Sequence, residues 1–212
     1  MRHPFDNRFR TRNISEAIQE MRETGATIVR GMLLDHFREA MLREIAALPF
    51  KQAAKNVGKV EQNFDYCSFF GSVPAGRNLE TLRRSVEVLV WNGGFLNWRG
   101  REVAINRYVA GGGLTAHRDF KWHPDVLAIW NVCGTCTFEV LETREGPVVQ
   151  TYYPQPGDLI LLRGAGPADD PVDRRPFHCV RNIESSGPRI SVTIRHNTDP
   201  DRRIEKFAYA NA

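Results

Sequence analysis

His117-Arg118-Asp119 follows a glycine-rich stretch, Gly111-Gly112-Gly113-Leu114. In an extended segment residues i and i+2 share a face, so one imidazole and one carboxylate are expected to project together from a single short strand. That pair is a candidate for part of a metal site, and a third ligand is needed. His178, at the start of the run Pro176-Phe177-His178-Cys179-Val180, is the candidate. Two histidines and one carboxylate on one side of an iron(II) ion leave coordination positions open for a co-substrate and dioxygen. An H-x-D alone is weak evidence, because core and loop histidines account for most of them. Its surroundings decide.

Downstream lies Arg189-Ile190-Ser191-Val192-Thr193-Ile194-Arg195. Strand alternation puts Arg189, Ser191, Thr193 and Arg195 on one face and Ile190, Val192 and Ile194 on the other. Two arginines buried on the face shared with a metal ligand need an anion to offset their desolvation. A small dicarboxylate supplies one, with Arg as the bidentate clamp. The alternative is a solvated strand face with both arginines at the surface, which the upstream triad disfavours.

In order along the chain, Ile105-Asn106-Arg107-Tyr108, His117-x-Asp119, Pro156-Gly157-Asp158-Leu159, His178 and Arg189-x-Ser191…Arg195 resemble the Fe(II)/2-oxoglutarate-dependent dioxygenases, and within them the AlkB-like group. The resemblance spans roughly residues 102–197, and several elements agreeing in order are more specific than any one. Thr27-Ile28-Val29-Arg30-Gly31, followed by a helix, resembles the support segment of many such oxygenases. The resemblance implies a double-stranded β-helix (jelly roll) with Fe(II) on His117, Asp119 and His178. It implies that Arg189 pairs with the distal carboxylate of 2-oxoglutarate, helped by Tyr108 and Ser191, with Asn106 and Arg195 near the chelating end. The implied reaction consumes O2, releases succinate and CO2, and oxidises a C–H bond.

The substrate segment departs from the nucleic-acid repair members of that group. These carry an acidic residue just after the iron-binding Asp, whereas Phe120-Lys121-Trp122-His123-Pro124 holds no acid until Asp125. Phe64, Tyr66, Trp91 and Trp98 are available as lid aromatics, and Phe64, Tyr66, Arg118 and Trp122 are candidates to line the substrate pocket. A small organic substrate is therefore favoured over oxidative demethylation of a nucleic-acid base. A jelly-roll binding module without turnover is the remaining reading, disfavoured by an intact triad beside an intact Arg-x-Ser.

These residues need elements to hold them. Helices are expected at Ser15–Glu23, with Ser15 as cap, at Asp35 to about Leu48, capped by Asp35, and at Leu79–Val90. Residues 26–31 read as a strand and 50–76 as irregular. From 102 onward short β-rich runs follow at 102–109, 125–133, 135–142, 147–153, 158–163, 178–183 and 189–196, separated by Gly, Pro and Asp clusters. Such a succession suggests an antiparallel sandwich or barrel, giving a mainly β (α+β) fold with supporting helices. The expected organisation is a helical support and lid region at 1–101, a jelly-roll core at 102–197 and a tail at 198–212, within one domain. Pro156-Gly157-Asp158 reads as a turn. Cys133-Gly134-Thr135-Cys136 reads as a structural hairpin rather than a redox pair or zinc half-site, since it lies between strand-like runs and no second C-x-x-C follows. Trp130 is expected in the core, and His123 and His196 at the surface, outside the metal set.

With 212 residues, 42% hydrophobic and 25% charged, the chain can bury a core and is not of disordered composition. A net charge of +4, mostly from Arg and including Arg2, Arg8, Arg10 and Arg12, falls short of a nucleic-acid-binding stripe. Four cysteines make no disulfide framework, and no apolar run approaches a membrane span or signal segment. The expectation is a cytoplasmic enzyme with reduced thiols that acts on a small molecule and does not engage a membrane.

Overall fold

The computed structural model describes Phe9 and residues 14–73, 77–167, 170–183, 187–199 and 201. The arginines at 2, 8, 10 and 12 and most of the 198–212 segment lie outside the described residues.

Along the chain come α1 (Ile14–Thr24), β1 (Ala26–Val29), α2 (Asp35–Ala46), β2 (Lys51–Gln52), β3 (Asn56–Val57), β4 (Val60–Asn63), β5 (Asp65–Phe70) and α3 (Arg77–Asn92). Then follow β6 (Glu102–Tyr108), β7 (Gly113–His117), β8 (Val126–Cys133), β9 (Thr137–Leu141), β10 (Val148–Tyr152), β11 (Leu159–Arg163), β12 (Phe177–Arg181) and β13 (Arg189–Arg195). The strands form two antiparallel sheets. The larger has the order β1-β11-β8-β13-β6-β5-β2 and the smaller β10-β9-β12-β7-β4-β3. This is a jelly roll with helices on one side, as the alternation and turn pattern predict. No helix among the described residues is long and apolar enough to cross a membrane.

The larger sheet is covered on both faces, so its central strands β8 and β13 are buried nearly throughout. On the outer face, Ile190, Val192, Ile194 and Trp130 meet Met21, Met41, Leu82, Val86 and Trp98 from the helical side. Full burial of such a side chain contributes about 1.5–3 kcal/mol. The inner face meets the smaller sheet across a second apolar cluster that includes Tyr108, Leu127, Ile129, Phe138, Val140 and Val180. The site lies on that inner side.

Several local expectations need correction. Residues 50–76 are not irregular: β2 and β5 extend the larger sheet while β4 pairs with β7 in the smaller one, so this segment bridges both sheets. β2, β3 and β4 have two to four residues each, most of them polar, and β5 (Asp65–Phe70) does not alternate, so none registers as a strand in sequence. Ser15 lies inside the first turn of α1, its Oγ donating to the Asn92 carbonyl (3.4 Å). Leu34 is the N-cap of α2, and Asp35 sits in the first turn, where it favours the helix dipole. Cys133 to Cys136 is a crossover between sheets rather than a hairpin, because β8 and β9 belong to different sheets. Cys133 packs toward the helical side and Cys136 toward the interior.

The Pro156-Gly157-Asp158 turn holds the support segment in place. The Asp158 carboxylate accepts from the backbone N–H groups of Gly31 and Gln155 and from Arg30, each at 2.7–2.8 Å. Gly157 has φ +96°, and a Cβ there would stand 3.1 Å from the Leu33 carbonyl oxygen, so glycine is required.

Candidate active site

His117 is the last residue of β7 and stands directly opposite His178 on β12, so pairing of the two strands brings the imidazoles together. Their ring centroids are 4.1 Å apart. Asp119 follows two residues later, beyond the end of β7, so the H-x-D pair straddles a strand end instead of sharing one strand. One donor atom from each of His117, Asp119 and His178 lies within 4.8 Å of the others. Nδ1 of His117 is 2.9 Å from the Thr115 carbonyl and Nδ1 of His178 is 3.4 Å from that of Pro176. A carbonyl only accepts, so Nδ1 carries the proton in each ring and Nε2 is left with a lone pair.

Electrostatics favour the ligand forms. Burial, then His117, pushes His178 down to about 3, and burial lowers His117 as well. Burial would raise Asp119, but Arg195 and the two histidines outweigh it and hold the carboxyl well below its usual range. Two neutral imidazoles and one carboxylate suit Fe(II) with open coordination positions.

Four of the five co-substrate candidates, Asn106, Tyr108, Arg189 and Ser191, collect at one end of β13. Register sets Arg189 opposite Tyr108 and Ser191 opposite Asn106. The Arg189 side chain is 1% exposed, its Nε donates to Asn131 Oδ1 (3.0 Å), and its guanidinium lies 5.1 Å from the Tyr108 ring centre. Its Nη2 has no hydrogen-bond partner among the described residues. An unmet buried donor costs about 1–3 kcal/mol, and more when charged, so the group is suited to an anion. Asn106 Nδ2 donates to the Tyr108 hydroxyl (3.3 Å), and burial pushes that phenol up. Arg195 stands at the other end of the strand, ~20 Å along the backbone at ~3.3 Å per residue, with Nη2 3.4 Å from Asp119 Oδ1. The face predicted from alternation is therefore buried, with a clamp candidate at one end and the metal candidates at the other.

The substrate candidates are more scattered. Phe64 packs on Tyr108 with ring centres 5.0 Å apart, while Tyr66 is buried in β5 opposite Asn106. Arg118 pairs with Asp173 (3.2 Å) and lies over the Phe177 ring. Trp122 stacks on Phe120 with centres 4.2 Å apart. Trp91 and Trp98 belong to the helical side, so neither serves as a lid aromatic. A cleft of about 750 Å³ runs beside the site. It reaches Ala116 and Cys179, the chain neighbours of His117 and His178, but none of the three metal candidates lines it.

Other residues of the site escape sequence reasoning. His123, expected at the surface, is fully buried, with Nε2 3.4 Å from Glu102 Oε1. Arg175 donates to the Asp119 backbone carbonyl and pairs with Asp173 (2.5 Å), tying the segment before β12 to the metal loop. Asn131 had a visible signal, as a lone amide within the apolar run Leu127–Val132. Glu102 and His123 had none.

No family model and no curated protein matches the sequence. Solved structures do. A 2OG-Fe(II) oxygenase-family oxidoreductase from Burkholderia pseudomallei superposes with TM-score 0.67 at 14% identity, over 90% of this chain and 93% of that one. A prolyl-4-hydroxylase from Pseudomonas putida gives 0.65 at 13% identity, over 87% and 98%. A viral collagen prolyl hydroxylase from Paramecium bursaria Chlorella virus-1, solved as a 2OG complex, gives 0.61 at 13% identity, over 81% and 95%. The fold is that of the 2OG-Fe(II) oxygenases. A His-Asp-His set able to hold a metal ion stands inside it.

Proposed function

We propose that this chain is an Fe(II)- and 2-oxoglutarate-dependent dioxygenase that oxidises a C–H bond of a small organic substrate, releasing succinate and CO2. The supporting observation is the pairing of two features in one interior: a three-ligand cluster, and a buried guanidinium with Nη2 unmatched, on the same strand face as the arginine that touches that cluster. Iron and 2-oxoglutarate, when bound with dioxygen, supply the oxidising power.

The chain supplies position and exclusion of water. His117 and His178 present Nε2 lone pairs, each ring oriented by a backbone carbonyl behind it. Asp119 adds the one ligand charge. Arg189, aimed by Asn131, is the clamp for the distal carboxylate of the co-substrate, with Tyr108 and Ser191 as the neighbouring hydroxyl donors. Asn106 orients the Tyr108 hydroxyl. Apolar walls from Phe138, Val140 and Leu127 keep water from the interior.

The resemblance to the AlkB-like group rests on the order of Ile105-Asn106-Arg107-Tyr108, His117-x-Asp119, Pro156-Gly157-Asp158-Leu159, His178 and Arg189-x-Ser191…Arg195. A small substrate is supported by the acid-free segment after Asp119 and by the engagement of Arg118 with Asp173. The test is Fe(II)-dependent succinate release from 2-oxoglutarate, which Asp119→Ala should abolish; equal release from both proteins sinks the assignment. Stimulation of that release across amino acids, prolyl peptides, nucleosides and methylated oligonucleotides identifies the substrate class. A substrate affinity falling steeply with salt would instead support a nucleic acid.

A further inference from the structure

Glu102 opens β6, opposite Arg195 on β13, and is 1% exposed. Its Oε2 accepts from Asn197 Nδ2 at 2.7 Å, while Oε1 lies 3.4 Å from His123 Nε2 and 3.5 Å from Arg195 Nη1. Arg195 extends its other nitrogen, Nη2, to Asp119 Oδ1 at 3.4 Å. Asp119 Oδ2 faces His178 Nε2, also at 3.4 Å. One guanidinium therefore bridges two buried carboxylates, of which only Asp119 belongs to the three-ligand cluster.

We propose that Glu102 is a positioning residue for the metal centre: it holds and neutralises Arg195, so that Arg195 steadies one oxygen of Asp119 and leaves the other for the metal. The proposal rests on reading His117, Asp119 and His178 as that centre.

The charge count shows the need. With both histidines neutral, Glu102, Arg195 and Asp119 sum to −1, which favours a dication. Without Glu102 the sum is zero, and Arg195 is free to take both oxygens of Asp119 as a bidentate partner, in competition with the metal. A buried carboxylate is expensive to desolvate, and apolar side chains of similar volume often serve stability as well or better, so packing alone does not account for this one. The surroundings keep it in place. Asn197 and His123 are both fully buried against it. His123 also belongs to the metal loop, its N–H donating to Phe120 O (3.1 Å) and its carbonyl accepting from Ala165 N (2.9 Å). Glu102 thus reaches Asp119 by two routes, through Arg195 and through the loop that carries Asp119.

Cobalt(II) titration without oxygen or 2-oxoglutarate, read by visible absorption, tests this on the full chain. Removing an outer partner of a metal ligand typically costs ten- to a hundred-fold in metal affinity, and Glu102→Gln should weaken cobalt binding by about that much. The double variant Glu102→Gln with Arg195→Gln should recover at least about tenfold of the loss, because the uncompensated cation is gone. Cobalt affinity in Glu102→Gln within twofold of the parent overturns the proposal. So does a loss that the double variant leaves in place, which would make Glu102 a folding residue only. Should Glu102→Gln not fold, Asn197→Ala removes the 2.7 Å bond that holds Glu102, together with the bond from the Asp199 N–H to Asn197 Oδ1 (2.8 Å), while leaving Glu102 and Arg195 in place. A threefold or greater weakening there supports the proposal and parental affinity overturns it. His117→Ala separates the two readings. If it binds cobalt as the parent does, the metal centre itself is wrong, whereas a loss there beside an unaffected Glu102→Gln overturns only the role of Glu102.

Discussion

The two faces of β13 are buried alike and built on opposite terms. Ile190, Val192 and Ile194 meet the helical side in an apolar cluster, and every contact there stabilises the fold. Arg189, Ser191, Thr193 and Arg195 face the smaller sheet, where two guanidiniums lack a full set of hydrogen-bond partners. One face is a core. The other gives up stability to hold charge away from solvent, a cost that a bound anion would offset. Seven successive residues thus divide between folding and chemistry by alternation alone.

The largest effect should come from the apolar face. Ile194→Ala removes a fully buried side chain and should cost about 2–5 kcal/mol of stability, read as a lowered denaturant midpoint. Cobalt affinity should stay at the parental value, and an equal loss of both would erase the distinction between the faces. On the polar face Arg189→Ala should weaken 2-oxoglutarate binding about ten- to a hundred-fold, measured by titration with iron present and oxygen absent. Its iron affinity should barely change. Arg189→Lys keeps the charge but loses the planar fork, and should weaken binding less. If Arg189→Ala binds 2-oxoglutarate like the parent, the clamp is another residue, with Arg195 first in line.

The smallest effect sharpens the helical side. Hydrogen bonding from Arg83 holds the Glu80 carboxyl down to about 2, with Arg84 and the Val73 N–H adding to it. A folded value below the unfolded one of 4.5 means the stabilisation is complete above that pH and is lost as pH falls from there toward 2. These groups are partly solvated, so Glu80→Gln should cost no more than about 1 kcal/mol at pH 7. Urea unfolding at pH 7 and pH 3 should show the gap between variant and parent narrowing in acid. A gap independent of pH would mean that Glu80 acts through packing.

Much of this plan is legible along the chain. Alternation over 189–195 predicted both faces of β13, and the β-rich runs from 102 to 196 each mark a strand of the jelly roll to within two residues at either end, because half-buried strands must repeat every two residues. β7 is absent from those runs: a short strand is expected to carry His117 and Asp119, whereas it spans Gly113–His117 and ends before Asp119, its glycines leaving little pattern. His117, Asp119 and His178 could be picked out because few residue types bind iron. Of the bridging strands, β2 and β4 are short and polar and owe their place to partners elsewhere in the chain, β5 and β7, while β5 carries no alternation to mark it.

The sequence by itself determined the ligand types, the clamp candidate and the alternation that buries them, all of which are local properties of composition and period. Only the tertiary structure decided which groups meet. In sequence, Glu102 is only the acid that opens a β-rich run, and His123 reads as a surface residue in a loop. Pairing of β6 with β13 and closure of the metal loop over them bury both beside Arg195 and Asp119. A charge takes its role from the partner it finds when water is removed, and that partner is chosen by strand register across some ninety residues of chain.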